Sequence, residues 1–161
     1  MENIFTLTLL YKLISIFIAS MAFAVILRIN KRHLLLSGVG AAITFLIYSI
    51  SVNLVNSFFA AAFISTLAAT LYAEILARVR RAPTIIYILT GVIPTVPGGD
   101  LYHAMRFMLM NDTATAIKHF VITAEIGLGI AGGIVAMSII FGSTMDIYYK
   151  LKGCITKNVK Q

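Results

Sequence analysis

Apolar residues fall in five long runs. The first extends from Ile4 to Leu27 and is interrupted only by Lys12; the second, Leu34 to Val52, carries no charge. After Asn53-Leu54-Val55-Asn56 a third runs from Ser57 to Ala77. So short a link predicts an antiparallel helical hairpin. The fourth, Thr84 to Met110, is interrupted by Pro94, Pro97, Gly98, Gly99, Asp100, His103 and Arg106. The fifth, His119 to Gly142, is glycine-rich and holds Glu125, and a basic tail occupies 143–161. A bilayer span takes roughly 20 residues, so each run is long enough to cross. The pattern predicts an all-α polytopic transmembrane helical bundle of about five spans, a single integral membrane domain over 1–161, without internal repeats.

Composition agrees: 60% of the 161 residues are hydrophobic, 12% are charged and the mean hydropathy is +0.95. An ordinary soluble domain is roughly half apolar. The short loops leave no room for a separate soluble catalytic domain. One cysteine, Cys154, excludes an internal disulfide framework, a CxxC redox pair and a cysteine-rich zinc site. Ala22-Phe23-Ala24 has the look of a signal-peptidase site, but the first charge is Glu2 and no base precedes Lys12, so a retained first helix is expected.

The net charge of +7 sets orientation. Arg28, Lys31 and Arg32 lie in the first loop, Arg78, Arg80 and Arg81 in the third, and Lys150, Lys152, Lys157 and Lys160 in the tail. With five spans all of these share one side, which the positive-inside rule makes cytoplasmic, with the N-terminus outside. Tyr72, Tyr87, Tyr148 and Tyr149 lie near that inner boundary. Bases at helix ends are not the clustered, aromatic-interleaved face that nucleic acid needs. The lipid bilayer is the expected surrounding, and no nucleic-acid partner is implied.

Chemistry concentrates in the fourth run. Pro94 and Pro97 each remove a backbone donor, and Gly98 and Gly99 add backbone freedom, so the helix should end near Val92 or Ile93. The break falls near the middle of the run, and unwound backbone at that depth must be buried in protein or line a wet cavity. Discontinuous helices build substrate sites in secondary transporters, where freed amides meet an anionic group; a plain kink or a re-entrant packing loop is the alternative. Asp100, His103 and Arg106 recur every three residues along a helix expected to start near Leu101. Each charge costs at least about 2.5–3.5 kcal/mol at the bilayer centre unless it faces protein or water. Asp100 can alternatively cap that helix through the His103 amide, His103 can be a packing residue, and Arg106 can snorkel outward.

Glu125 and Lys12 lie roughly 9 and 12 Å from the outer ends of their runs. Matching depths permit an ion pair between the first and fifth helices, with a role in proton or ion coupling; snorkelling is the alternative for Lys12. Glu74 precedes Arg78 by four residues, the spacing of an ordinary helix-surface pair. Gly129-x-x-x-Gly133 in the fifth run, and Ala60-Ala61-Ala62 with Ala68-Ala69 in the third, allow close helix approach, within the chain or to a partner. No nucleophile–base constellation, P-loop or metal-ligand cluster is legible, so neither an enzyme nor a cofactor is expected.

From Ala77 to Met105 the chain resembles the threonine/serine exporter family, specifically its small all-membrane component. The residues carrying the resemblance are Pro83, Ile93, Pro94, Pro97, Gly98, Tyr102, Ala104 and Met105. It implies a bacterial inner-membrane secondary exporter of small polar metabolites, threonine and serine in one branch and a C4-dicarboxylate such as succinate in another. It also implies a larger membrane subunit as partner. Asp100, His103 and Arg106 are outside that pattern. Together the residues and the resemblance give a substrate site of Pro94, Pro97, Gly98, Gly99, Asp100, Tyr102, His103 and Arg106. A non-transporting assembly subunit is the rival expectation.

Overall fold

The computed structural model describes residues 2–158, with side chains over 8–145. The described chain is all-helical: α1 Glu2–Ile26, α2 Lys31–Val55, α3 Phe58–Arg80, α4 Thr84–Val92, a 3-10 turn Ile93–Thr95, α5 Gly98–Leu109 and α6 Thr113–Asn158. Four of these helices are individually long and apolar enough to cross a membrane, and α4 and α5, bent by 51° at their break, are so as a pair. The last helix extends beyond the predicted fifth span at both ends, so the backbone of the basic tail is helical through Asn158. The side chains of Tyr148, Tyr149, Lys150, Lys152 and Lys157, and all of Lys160, lie outside the described residues.

Each connection except the break between α4 and α5 turns on one left-handed residue that is not glycine: Arg28 (φ 54°), Asn56 (φ 51°), Arg81 (φ 53°) and Asn111 (φ 59°). Asparagine tolerates that conformation through local hydrogen bonding of its side chain. Caps fix the neighbouring helix starts. Asn30 accepts from the Arg32 amide at the start of α2, Ser57 from the Ala60 amide at the start of α3, and Asp112 from the Thr115 amide at the start of α6.

The glycines are spent instead on helix faces. A methyl group on Gly38 would lie 2.7 Å from the Phe17 ring of α1, and one on Gly40 would lie 2.8 Å from the Tyr72 ring of α3. One on Gly129 would lie 2.6 Å from the Phe59 carbonyl oxygen, and one on Gly133 would lie 2.8 Å from that of Phe63. The Gly129–Gly133 face is therefore taken up inside the chain, by α3. Between these contacts the row α1–α2–α3–α6 is assembled, with α4 lying against α1, α2 and α3 and with α5 leaning on α6.

Direction follows from the same contacts. Gly129 faces Phe59 and Ala62, Gly133 faces Phe63 and Thr66, and the Arg78 guanidinium stands 4.3 Å over the Phe141 ring. Numbering rises together on α3 and α6, so the two are parallel. A re-entrant fourth segment would make them antiparallel. The bent α4–α5 unit therefore runs through the bundle from one end to the other.

The packing is inside-out relative to a soluble protein. Buried positions are mostly small, such as Ala61, Ala62, Ala69 and Ala73, or hydroxylated, such as Ser20, Ser37, Thr44, Thr66 and Thr90; large apolar side chains including Ile14, Leu54, Leu109 and Leu128 face outward. Lipid tails are as apolar as leucine, so close backbone approach and buried hydrogen bonds replace hydrophobic sorting as the source of helix association. Tyr87 is the largest fully buried side chain, and its hydroxyl meets His33 Nδ1 at 2.5 Å.

Candidate functional site

The break follows the expected chemistry. α4 ends at Val92, and its free groups are taken up one by one. Pro94 has no N–H to give the Thr90 carbonyl, and the Ser20 hydroxyl from α1 donates to that oxygen instead, at 3.1 Å. Ser20, Ser37 and Thr90 each lie six residues from the helix terminus at the same end of the bundle, so α1, α2 and α4 meet at one depth. Pro97 has no N–H for the Ile93 carbonyl, which accepts from Val96 at 3.1 Å; Thr95 Oγ1 donates to the Val92 carbonyl at 2.7 Å. A broken helix within a span is tolerated when hydroxyls and tightened turns re-satisfy the backbone in this way.

α5 starts at Gly98, three residues before the expected Leu101, with Pro97 at the cap position and no side-chain cap. Gly98 N–H donates to Val96 O (2.8 Å) and Leu101 N–H to Pro97 O (3.1 Å). The amides of Gly99 and Asp100 between them have no acceptor among the described residues. A methyl group on Gly98 or Gly99 would meet nothing within 4 Å. Two unbonded donors thus stand at the positive end of a helix, with open space where a Gly99 side chain would be.

Asp100 does not cap the helix. As its third residue it turns its carboxylate to α6, where Oδ1 lies 2.9 Å from His119 Nδ1; the side chains are 33% and 25% exposed. His103 lies 5.4 Å from the His119 ring, and Phe107 stacks on His119 at 5.9 Å with 7° between the planes. Tyr48 of α2 is close enough to feel the Asp100 charge. Tyr102 packs edge-on against His103 at 5.6 Å and is otherwise exposed. Arg106 is exposed and takes no part. A step of three residues falls about 60° short of a full helical turn, so three such positions sweep about 120° and the last leaves the α6-facing side. Phe107, at the four-residue step, takes the place expected for Arg106.

The inferred Lys12–Glu125 pair is not formed. α1 packs on α2 and α4, whereas α6 packs on α3 and α5, and both side chains are exposed. Glu74 and Arg78 do pair, at 3.1 Å. Outside the spans, hydrogen bonds from the Thr115 hydroxyl and amide hold the Asp112 carboxyl below its ordinary range. No group of three or more His, Cys, Asp or Glu side chains among the described residues could hold a metal ion. An apolar groove of about 350 Å³ lies between α5 and α6, lined by Met105, Met108, Ile117 and Phe120 among others.

His119 and Tyr48 were not legible as site residues. His119 marks where the fifth apolar run begins, and Tyr48 is one aromatic within an uncharged run. Only the tertiary arrangement brings either to Asp100.

A helical membrane bundle with one broken span, polar groups gathered beside the break and lipid-facing apolar surface elsewhere is a membrane transport protein in its build. The family model for the threonine/serine exporter, ThrE, matches residues 12–140. The chain belongs to the threonine/serine exporter family. No curated protein and no solved structure matches it.

Proposed function

We propose that this chain is the small membrane subunit of a bacterial inner-membrane secondary exporter, working with a larger membrane subunit, with its N-terminus outside and its C-terminus cytoplasmic. The observation that carries the site is the pair of unbonded amides at Gly99 and Asp100, on the helix turn that also carries the part-exposed Asp100 carboxylate. A substrate carboxylate binds these amides, and an α-ammonium binds Asp100, which supports a threonine- or serine-like amino acid. Pro94 and Pro97 hold the break open, and Tyr102 and His103 wall the site. A dicarboxylate such as succinate would need a cation for its second acid group; Arg106 faces away, leaving His103 and His119 for that role. Lys12, Glu125 and Arg106 lie exposed in the spans without a partner on the described chain. Charges there are costly. The larger subunit is proposed to supply their counter-charges, and any coupling role for Lys12 and Glu125 depends on it.

The test is efflux of preloaded threonine, serine and succinate from cells lacking endogenous exporters, expressing this chain alone or with the larger subunit. Export of one substrate class only when both are present is expected. Replacing Pro97 with Leu and Gly98 with Ala should abolish it while the protein stays inserted, because the added alanine methyl meets no atom of the chain within 4 Å. Wild-type export from that double variant overturns the site. The exposed α5–α6 groove favours a second reading, a subunit that only assembles with its partner. In that case substitutions at Asp100 and Glu125 leave the transport rate unchanged at matched partner levels.

A further inference from the structure

Asp100 is held by a group that competes with the substrate for it. His119 comes from another helix, α6, and places Nδ1 2.9 Å from the same carboxylate that would receive an ammonium. Phe107, stacked 7° from parallel, fixes the plane of the imidazole ring. A quarter of the His119 side chain is exposed, enough to leave a route for a proton. Histidine as a residue type changes charge between about pH 5 and 8. From α5 the other titratable neighbour is His103, from α2 it is Tyr48, and from α6 it is His119 itself. Lys118, Arg106 and Glu125 are all exposed and make no ion pair with Asp100 or His119. Among the described residues no other cation pairs with Asp100.

We propose that Asp100 and His119 form the proton site of the transport cycle, shared with the substrate, so that binding an ammonium-bearing substrate expels one proton; this rests on the exporter reading above. With the site empty, an imidazolium on His119 pairs with the Asp100 carboxylate. Substrate ammonium takes over that carboxylate. The imidazolium, now without its counter-charge, gives its ring proton to water, so one N–H bond breaks, hydronium forms and the imidazole is left neutral. Substrate release reverses each step and a proton rebinds. A protein that binds substrate inside and releases it outside therefore carries a proton inward for each substrate exported.

His119→Gln separates proton binding from hydrogen bonding, because the amide can still donate to Asp100 but does not titrate. The full-length chain, co-reconstituted in liposomes with the larger subunit, is measured in two ways. The first needs no substrate. The infrared difference spectrum between about pH 5 and pH 8 should contain an imidazole contribution in wild type that H119Q lacks, above the signal of His33 and His103 that both share. Identical spectra overturn the proton site whether or not the exporter reading holds. The second uses radiolabelled threonine. Wild type should show both pH-gradient-driven flux and exchange at equal pH, whereas H119Q should lose gradient-driven flux out of proportion to any change in exchange. Gradient-driven flux retained by H119Q overturns the proposal. Wild-type liposomes that exchange none of threonine, serine or succinate overturn the exporter reading and the shared-site cycle with it; the infrared result then decides the proton site alone.

Discussion

Alanine in place of Gly129 or Gly133 should weaken the bundle, and alanine in place of Gly127 or Gly142 should not. At Gly129 the new methyl would lie 2.6 Å from the Phe59 carbonyl oxygen and 2.9 Å from Ala62 Cβ; at Gly133 it would lie 2.8 Å from the Phe63 carbonyl oxygen and still closer to the Thr66 hydroxyl. Thr66 can rotate, but a helix carbonyl cannot. Restoring ordinary contact at 3.4 Å from the Phe59 oxygen requires α3 and α6 to part locally by the difference from 2.6 Å, which is 0.8 Å. A gap of about 0.5–1 Å forfeits a quarter to a half of the dispersion energy of the contacts it opens. Overpacking of this kind typically costs about 1–3 kcal/mol per site. Gly127 and Gly142 have nothing within 4 Å of an added methyl. There alanine brings at most the helix-propensity gain of about 0.5–1 kcal/mol. That gain is common to all four sites and cancels in the comparison, so the two classes should differ by about 1–3 kcal/mol. Equilibrium unfolding in mixed micelles, followed by far-ultraviolet circular dichroism, measures the difference directly. Equal stability of G129A, G133A, G127A and G142A would refute the parallel α3–α6 seam, and with it the argument that α4–α5 crosses the bundle.

Two further outcomes follow from named hydrogen bonds. Ser20→Ala should cost about 1–3 kcal/mol, because the Thr90 carbonyl left free by Pro94 loses the hydroxyl that donates to it. Pro94→Ala should cancel most of that loss by restoring an in-helix donor, so a double-mutant cycle in the same unfolding assay should show strong coupling; additive effects would sink the account. Asp112→Ala should remove an acid-sensitive contribution to stability. The carboxyl is lowered in the folded protein, so its contribution is present above the ordinary carboxylate value of about 3.9 and is lost as pH falls through the lowered value. The variant's acid unfolding profile should be flatter there, and identical wild-type and variant profiles would count against the cap.

The spans and the break were legible because each rests on local chemistry. Long apolar runs set the helices, and proline placed the end of α4 at Val92, as expected. The GxxxG spacing was readable as a close-approach face, but not its partner, because a partner on another helix leaves no periodic trace; the structure gives that face to α3. Two local assignments failed for geometric reasons. The helix after the break begins at Gly98 because the N–H that proline lacks would have no intrahelical acceptor at the cap position in any case. That earlier start moves Asp100 from the cap to the third helical position and turns it toward α6. The apparent triad of Asp100, His103 and Arg106 fails for a separate reason, because three-residue steps drift about 60° each around the helix.

Depth alone was a poor guide to pairing. Lys12 and Glu125 were matched by distance from their helix ends, yet helices at one depth can stand at opposite edges of a bundle, as α1 and α6 do. The polar contacts that did form join helices packed side by side: Ser20 with Thr90, Tyr87 with His33, Asp100 with His119. Packing order therefore decides which charges in this bundle are satisfied internally, and the order is set by glycine and alanine rather than by charge. It leaves Lys12, Arg106 and Glu125 facing outward. An outward charge within a span must reach the interface by snorkelling or meet water or a further protein surface. Glu125 has the shortest reach of the three, so it is the charge that the proposed second membrane subunit would have to meet.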